Sequence, residues 1–281
     1  MSITGSSGPP GRTRMLLHLL LVGAAIVVLA PFVWIAAAAF KTQISLLLGN
    51  LLFEPVLNNF REVLFGRTST YGRNFLNSVL IASVSTLLVM IIAFFAGYSL
   101  FRMRWPRWVI NVFLIWAIGF NLVPPVALAG AWYELFRGIG LTNGTLALTL
   151  SHTTLHLPMA LWLLSTFFRE IPRELEEAAV IDGAGFLALL RTIILPLMAP
   201  GIVSTGILVF IFSWNEFPVA LALTNNQTAT VPVAIAKFAQ ENEIKYTQMA
   251  AASVLSAIPA LIALIFGQRF IVKGLTAGAV K

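Results

Sequence analysis

Six stretches of the chain are apolar over nearly their whole length. They run Met15–Phe40, Phe75–Phe101, Trp108–Phe136, Leu146–Phe168, Leu197–Leu223 and Met249–Phe266. Crossing the hydrocarbon of a bilayer takes about 20 such residues. In lipid a backbone must satisfy its own hydrogen bonds, which an isolated strand cannot do. The pattern predicts an all-α integral membrane protein with six transmembrane helices. The segment between the fourth and fifth runs has a different texture: ELEEAAVIDGAGFLALLRTIILP, residues 174–196. Leu175, Ala178, Ala179 and Asp182 fall at helical spacing on one side. Gly183 and Gly185 interrupt them, and Phe186, Leu190 and Ile194 then share a second face. Pro172 suits a first helical turn, and the acids sit near the positive end of that helix. This spacing predicts two short helices meeting at a glycine bend on the membrane surface.

Composition sharpens the picture. The 281 residues are 58% hydrophobic and 10% charged, with a mean hydropathy of +0.89, against about 25% charged in soluble domains. Cysteine is absent, which excludes disulfides and cysteine-based metal or redox sites. The net charge of +7 does not indicate nucleic acid. The basic residues cluster at the ends of apolar runs rather than on one polar face.

Lys and Arg set the orientation. With the N-terminus inside, eleven fall on inner segments and seven on outer ones, and the tight FRMRWPR turn lies inside. Both termini are then cytoplasmic, and so is the acidic segment. The expected organisation is a tail over 1–14, a six-helix domain over 15–268 with a cytoplasmic loop at 169–196, and a tail over 269–281. Arg12 and Arg14 before the first run resemble the start of a signal peptide. The run is too long for an apolar region of about 7–15 residues, so it reads as an uncleaved span containing Pro31. The outer loops Lys41–Asn74 and Thr224–Gln248 read equally as solvated connectors or as a docking surface for an external partner. No internal repeat is visible.

A few polar groups lie inside the apolar runs. Glu216 falls in SWNEF of the fifth, flanked by Trp214, Asn215 and Phe217. An ionisable group in a span is a functional candidate, and aromatic faces with hydrogen-bonding side chains suit a sugar. The same cluster also fits a gating or purely structural interhelical bond. His152 and His156, four apart, share one helical face but lack a nearby carboxylate and make a poor metal site. Pro124, Pro125, Pro158 and Pro259 are expected to kink or break helices. No G-x-S-x-G, H-E-x-x-H or cysteine nucleophile marks the chain as an enzyme, and no G-x-x-x-x-G-K-[ST] loop is present to bind a nucleotide.

The residues alone leave the acidic segment open between a knob for a soluble partner and an interfacial loop. The spacing Glu177-Ala178-Ala179, three residues, Gly183, nine residues, Ile193-x-Leu195-Pro196 resembles the EAA loop of ABC importer permeases. PFVWIAAAAFK, NFLNSVLIAS, LPMALWLLSTFFREIPRELEEAA, FSWNEF and QRFIVKGLTAGAVK are similar, in order, to segments of the MalG-type carbohydrate permease family. Ala184, Gly185 and Phe186 depart from the Ser-Pro cap common in relatives.

The resemblance implies a type I importer permease of the cytoplasmic (inner) membrane of bacteria. It implies a second homologous permease subunit, two ABC ATPase subunits that bind ATP and Mg, and an extracytoplasmic solute-binding protein as partners. This chain itself would hold no cofactor or metal. Glu177, Ala178, Ala179, Asp182, Gly183 and Phe186 would form the coupling loop to an ATPase, and Leu275 to Lys281 would reach toward it. Trp214, Asn215, Glu216 and Phe217 would line a path for a carbohydrate or a carbohydrate-like solute. The rival classes are a stand-alone secondary transporter or channel for a small polar solute, which would need midplane ion-coupling acids and often shows inverted repeats, and a scaffold subunit that passes no solute.

Overall fold

A computed structural model describes residues 11–239 and 244–277, with side chains over 13–239 and 244–268. Among the described residues every regular element is helical. In chain order they are α1 (Gly11–Ala39), α2 (Gln43–Leu47), α3 (Asn58–Phe65), α4 (Tyr71–Arg102), α5 (Arg107–Asn121), α6 (Pro125–Gly138) and α7 (Thr145–Glu170). There follow α8 (Arg173–Ile181), α9 (Phe186–Leu189), a π turn (Leu190–Ile194), α10 (Leu195–Trp214), α11 (Pro218–Leu223), α12 (Val231–Lys237) and α13 (Tyr246–Ala277). The tail residues 1–10 and 278–281 lie outside the described residues.

Four helices are long and apolar enough to cross a bilayer unaided: Thr13–Ala39, Tyr71–Arg102, Phe186–Trp214 and Tyr246–Gln268. The third apolar run is not one straight span. It is α5 and α6, bent by 98°, because Pro125 has no N–H to give and holds Pro124 extended at ψ 133°. The fourth run forms α7, which is 26 residues long. Its Ser, Thr and His residues make it more polar than a lipid-facing span. The fifth run differs most from expectation. Its helix starts eleven residues early at Phe186 and breaks after Trp214. Pro158 and Pro259, by contrast, lie within unbroken helices.

The chain divides into two compact units: Met1–Arg67 with Phe238–Leu255, and Thr68–Lys237 with Ser256–Lys281. In the first, α1 shows apolar side chains such as Leu21, Val27 and Phe32 on all sides, as a helix surrounded by lipid does. The segment after it is folded rather than loose. Lys41 is 2% exposed; its Nζ donates to Asn50 O at 2.6 Å and lies 4.8 Å from the Phe53 ring. Asn59 Nδ2 donates to Ala39 O and Lys41 O, both at 2.8 Å, tying α3 to the end of α1. Gln43 donates to Ile244 O at 2.7 Å.

The second unit is built on α4, α7 and α10, which pack side by side. Val89, Ala93 and Phe94 meet Ala160, Leu164 and Phe168, with Met198 and Val209 completing the core. The buried hydroxyls of α7 bond within the helix: Thr149 to Thr145 O at 2.7 Å, Ser151 to Ala147 O at 3.0 Å, and Thr153 to Thr149 O at 2.8 Å. They therefore leave no orphan donors in a dry interior. The segment between α11 and α12 is also held down. Asn77 Nδ2 donates to Gln227 O at 2.9 Å and Ser78 Oγ accepts from Val231 N at 2.8 Å.

Helices in lipid associate by close packing at small residues. A Cβ at Gly97 of α4 would stand 2.6 Å from Phe168 of α7, whereas one at Gly119 of α5 would meet nothing within 4 Å. Gly97→Ala is therefore expected to destabilise the fold by about 1–3 kcal/mol, the usual cost of overpacking. Gly119→Ala should be neutral. Thermal unfolding of the two variants in detergent checks the contrast, and an unchanged Gly97→Ala melt would refute the close contact.

Candidate functional site

Two features concentrate the polar chemistry of the second unit: an elbow at 172–190 and a buried cluster around residue 216. The elbow begins at Pro172, extended at ψ 136°, which leads into α8. α8 ends at a glycine cap. Gly183 takes a left-handed φ of +82°. Gly183 N then donates to Val180 O at 3.0 Å, and Ala184 N donates back to Ala179 O at 2.9 Å. This pair of bonds is how a helix closes on a left-handed residue. It explains why Ala179 and Gly183 must be four apart. Nothing beyond the turn is capped by a side chain: Gly185 precedes α9 without one.

The second arm of the elbow differs from expectation. It is not a separate short helix ahead of the span. From Phe186 the chain stays helical through the π turn directly into α10, and Leu195 N reaches Leu190 O five residues back. Pro196 follows at once. A proline offers no N–H to the carbonyl four residues before it and crowds that carbonyl, and the wider turn accommodates it.

What holds the elbow is a clamp that sequence reasoning missed. Arg102, the last residue of α4, pairs through Nε with Glu176 Oε1 at 2.7 Å; their side chains are 7% and 14% exposed. Arg102 Nη2 also donates to Ile171 O at 2.9 Å, Arg173 donates to Phe101 O at 3.1 Å, and Tyr98 OH donates to Glu176 Oε2 at 3.3 Å. The Tyr98 and Phe186 rings lie edge to face at 5.7 Å. With Glu176 and Ala179 turned inward, the other side of the elbow is bare. Glu177, Ala178, Asp182 and Gly183 are exposed, as are Val180, Ile181, Phe186 and Leu187. Of the six predicted coupling residues only Ala179 is buried.

The second feature sits at the break after α10. Glu216 Oε1 accepts from Val219 N at 2.8 Å and Oε2 accepts from Ala220 N at 2.9 Å, so its carboxylate caps α11. His152 Nε2 lies 3.3 Å from the same Oε2. His152 Nδ1 meets Ser213 Oγ at 2.7 Å, and Ser213 Oγ meets Ser85 Oγ at 3.0 Å. His152 of α7 thus links the carboxylate to Ser213 of α10 and, through it, to Ser85 of α4. Trp214 is 1% exposed and donates from Nε1 to Ser256 O at 3.1 Å. Phe217 is half-buried and Asn215 is exposed. The four predicted path residues are adjacent, but the polar atoms of Trp214 and Glu216 are already engaged within the protein. Ser213 was the missed member, and His152, noted for its spacing from His156, was not foreseen beside Glu216. No group of three His, Cys, Asp or Glu side chains among the described residues is placed to hold a metal.

The bundle, with four helices long and apolar enough to cross a bilayer, is of the class of helical membrane proteins. The chain belongs to the family of binding-protein-dependent transport system inner membrane components, whose model matches residues 90–276. It is 38% identical over 270 residues to the trehalose/maltose transport system permease protein MalG of Thermococcus litoralis, covering 94% of this chain and 96% of that one. It is 36% identical over 259 residues to the trehalose transport system permease protein SugB of Mycobacterium tuberculosis, covering 90% and 92%. Its fold matches a chain of a bacterial ABC transporter that imports the acidic polysaccharide alginate, with a TM-score of 0.76 and 20% identity over 95% of this chain and 99% of that one.

Two expected outcomes follow from this geometry. Arg102→Met leaves Glu176 without its partner and should cost about 3 kcal/mol of stability, while Arg102→Met with Glu176→Leu should recover most of it, as apolar replacements of buried pairs do. A double-mutant cycle by thermal unfolding in detergent measures the coupling; independent effects would contradict the clamp. Glu216→Ala removes the cap of α11 and should cost about 1–2 kcal/mol, with Glu216→Gln intermediate because one acceptor remains. Equal stability of all three forms would mean that the carboxylate does not hold the break.

Proposed function

We propose that this chain is one permease half of an ATP-driven importer for a carbohydrate or carbohydrate-like solute. Six crossings are formed by α1, α4, the bent α5–α6 pair, α7, the helix ending at Trp214 and α13, with both termini in the cytoplasm. α7 crosses despite its polarity because neighbouring helices cover it and its hydroxyls bond internally. A second permease, two ATPases that bind ATP and Mg, and an external solute-binding protein complete the assembly. The family supports the binding-protein-dependent scheme, and the trehalose and maltose relatives support the solute class.

The observation that carries this reading is the elbow. One face is pinned to α4 by Arg102 and Glu176, and the other presents Glu177, Ala178, Asp182 and Gly183, exposed and outside any ion pair among the described residues, with Phe186 exposed beside them and its ring edge against Tyr98. A rigid, bare, mixed apolar and acidic knob next to a spanning helix is suited to a cleft on a soluble motor. Closure of the ATPases would carry the elbow, and the bundle would switch between inward-open and outward-open forms. The solute path runs beside the break at 215–217, with Asn215 facing it and Trp214, Glu216 and Phe217 forming its frame.

The test replaces Glu177 and Ala178 with lysine. Recovery of the ATPase with the tagged permease in detergent should fall about tenfold, the effect of losing roughly 1.4 kcal/mol of binding, while permease levels in the membrane stay normal. Gly183→Pro, which cannot adopt φ +82°, should abolish trehalose uptake with the same normal levels. Full ATPase recovery by the first variant together with normal uptake by the second would overturn the coupling role.

A further inference from the structure

The turn between α4 and α5 is the most basic part of the chain, and transport coupling accounts for only part of it. A cleft of ≈ 660 Å³ opens between this turn and the junction of α7 with α8. Arg102, Arg104, Arg107, Arg169 and Arg173 line it, with Glu174 as the one acid on its wall. Arg102 is held by Glu176, Arg173 by Phe101 O, and Arg169 lies 5.2 Å from the Phe101 ring. These three build the wall. Arg104 and Arg107 are exposed, and among the described residues neither is within ion-pair distance of an acid. α5 starts at Arg107 with no side-chain cap and no acid in its first turn, so its positive end adds to the field. Five arginines against Glu174 and Glu176 leave three net positive charges around one opening.

Such a cleft fits a phosphate, since guanidinium groups grip phosphate oxygens in pairs. Its setting selects among phosphates. Met103, Trp105 and Trp108 are exposed beside the arginines, and α5 continues as a bare ridge of Val112, Phe113, Ile115 and Trp116. Tryptophans at this position mark the membrane–water boundary, and the ridge beyond them is a track for hydrocarbon. Charge at the mouth and apolar surface leading away match an amphiphile rather than a free anion. We propose that this cleft binds the headgroup of an anionic phospholipid of the inner leaflet, with its acyl chains along α5. Basic pockets at helix ends recognise anionic lipids in this way. The leaflet assignment rests on the cytoplasmic orientation proposed above. Because Arg102 and Arg173 also hold the elbow, a lipid here would brace the same junction that carries α8.

The test titrates dioctanoyl phosphatidylglycerol into the purified transporter carrying the full chain, with binding read by native mass spectrometry. Arg104→Gln/Arg107→Gln is expected to weaken binding about thirtyfold, from the usual contribution of each arginine near an anionic leaflet. Arg104→Lys/Arg107→Lys, which keeps the charge but not the paired grip, should fall between wild type and the glutamine variant, and Arg191→Gln, outside the cleft, should keep all of the affinity. Dioctanoyl phosphatidylcholine should bind weakly to every form. Equal phosphatidylglycerol binding by wild type and the double glutamine variant overturns the site. An equal loss in Arg191→Gln also overturns it, as the attraction would then be a diffuse surface field. Full displacement by an equal concentration of inorganic phosphate would assign the cleft to the free anion instead. Orientation is read separately, because the chain has no cysteine. Met103→Cys should react with an impermeant maleimide in inverted vesicles and not in intact cells. The opposite labelling would overturn the inner-leaflet assignment and leave the binding comparison to be judged by itself.

Discussion

A helix interrupted inside a membrane exposes N–H and C=O groups that hydrocarbon cannot solvate, and each interruption in this protein is resolved in its own way. At 122–125 two prolines remove donors and set a near right-angle bend. At 215–217 the chain cannot rely on proline alone, because Pro218 leaves Val219 N and Ala220 N unbonded at the start of α11. The two oxygens of Glu216 take one each. At 182–185, in the exposed elbow rather than in a span, the backbone closes on itself through the left-handed Gly183. Only the second solution uses a buried acidic side chain. Its oxygens then need further polar partners, which are His152 and, through it, Ser213 and Ser85. The polar cluster is a consequence of where the helix breaks.

The elbow and this cluster sit at opposite ends of one helical run, Phe186 to Trp214. Twenty-nine residues span about 43 Å at helical rise. α8 is tied to α4 by the Arg102–Glu176 pair, while the run beginning at Phe186 leaves the elbow as a rod. A push on the elbow therefore has a stiff path to the far break and a hinge residue at its near end. The π turn before Pro196 and Pro200 within α10 are local softenings along that path.

Much of this was legible from spacing. The helical character of all six runs, the glycine bend at 183 and the break at Pro124–Pro125 follow from periodicity and backbone chemistry. The span count was less legible. α7 reads as apolar in a coarse pass, but its serines and threonines only make sense once their bonds to carbonyls four residues back are seen. The start of the fifth span was misplaced because Pro196 looked like a boundary; a π turn lets the helix pass through it. Arg102 and Glu176 were invisible as a pair because 74 residues separate them, and nothing local marks which of four clustered glutamates turns inward. His152 and Glu216, 64 apart, were each noticed alone for the same reason.

A charge pair is a surprising fastener for the elbow, since two buried ions often stabilise no better than apolar residues of the same size. Direction is what distinguishes it. The elbow already shows Val180, Ile181, Phe186 and Leu187 on its bare face. An apolar fastener on the opposite face would let α8 roll and bury the wrong side with little change in energy. Glu176 meets Arg102 Nε on one oxygen and Tyr98 OH on the other, and Arg102 is itself fixed to Ile171 O. Rolling α8 by one residue, about 100°, would strand all of these groups. The pair holds the apolar face outward, as the coupling role proposed for the elbow requires.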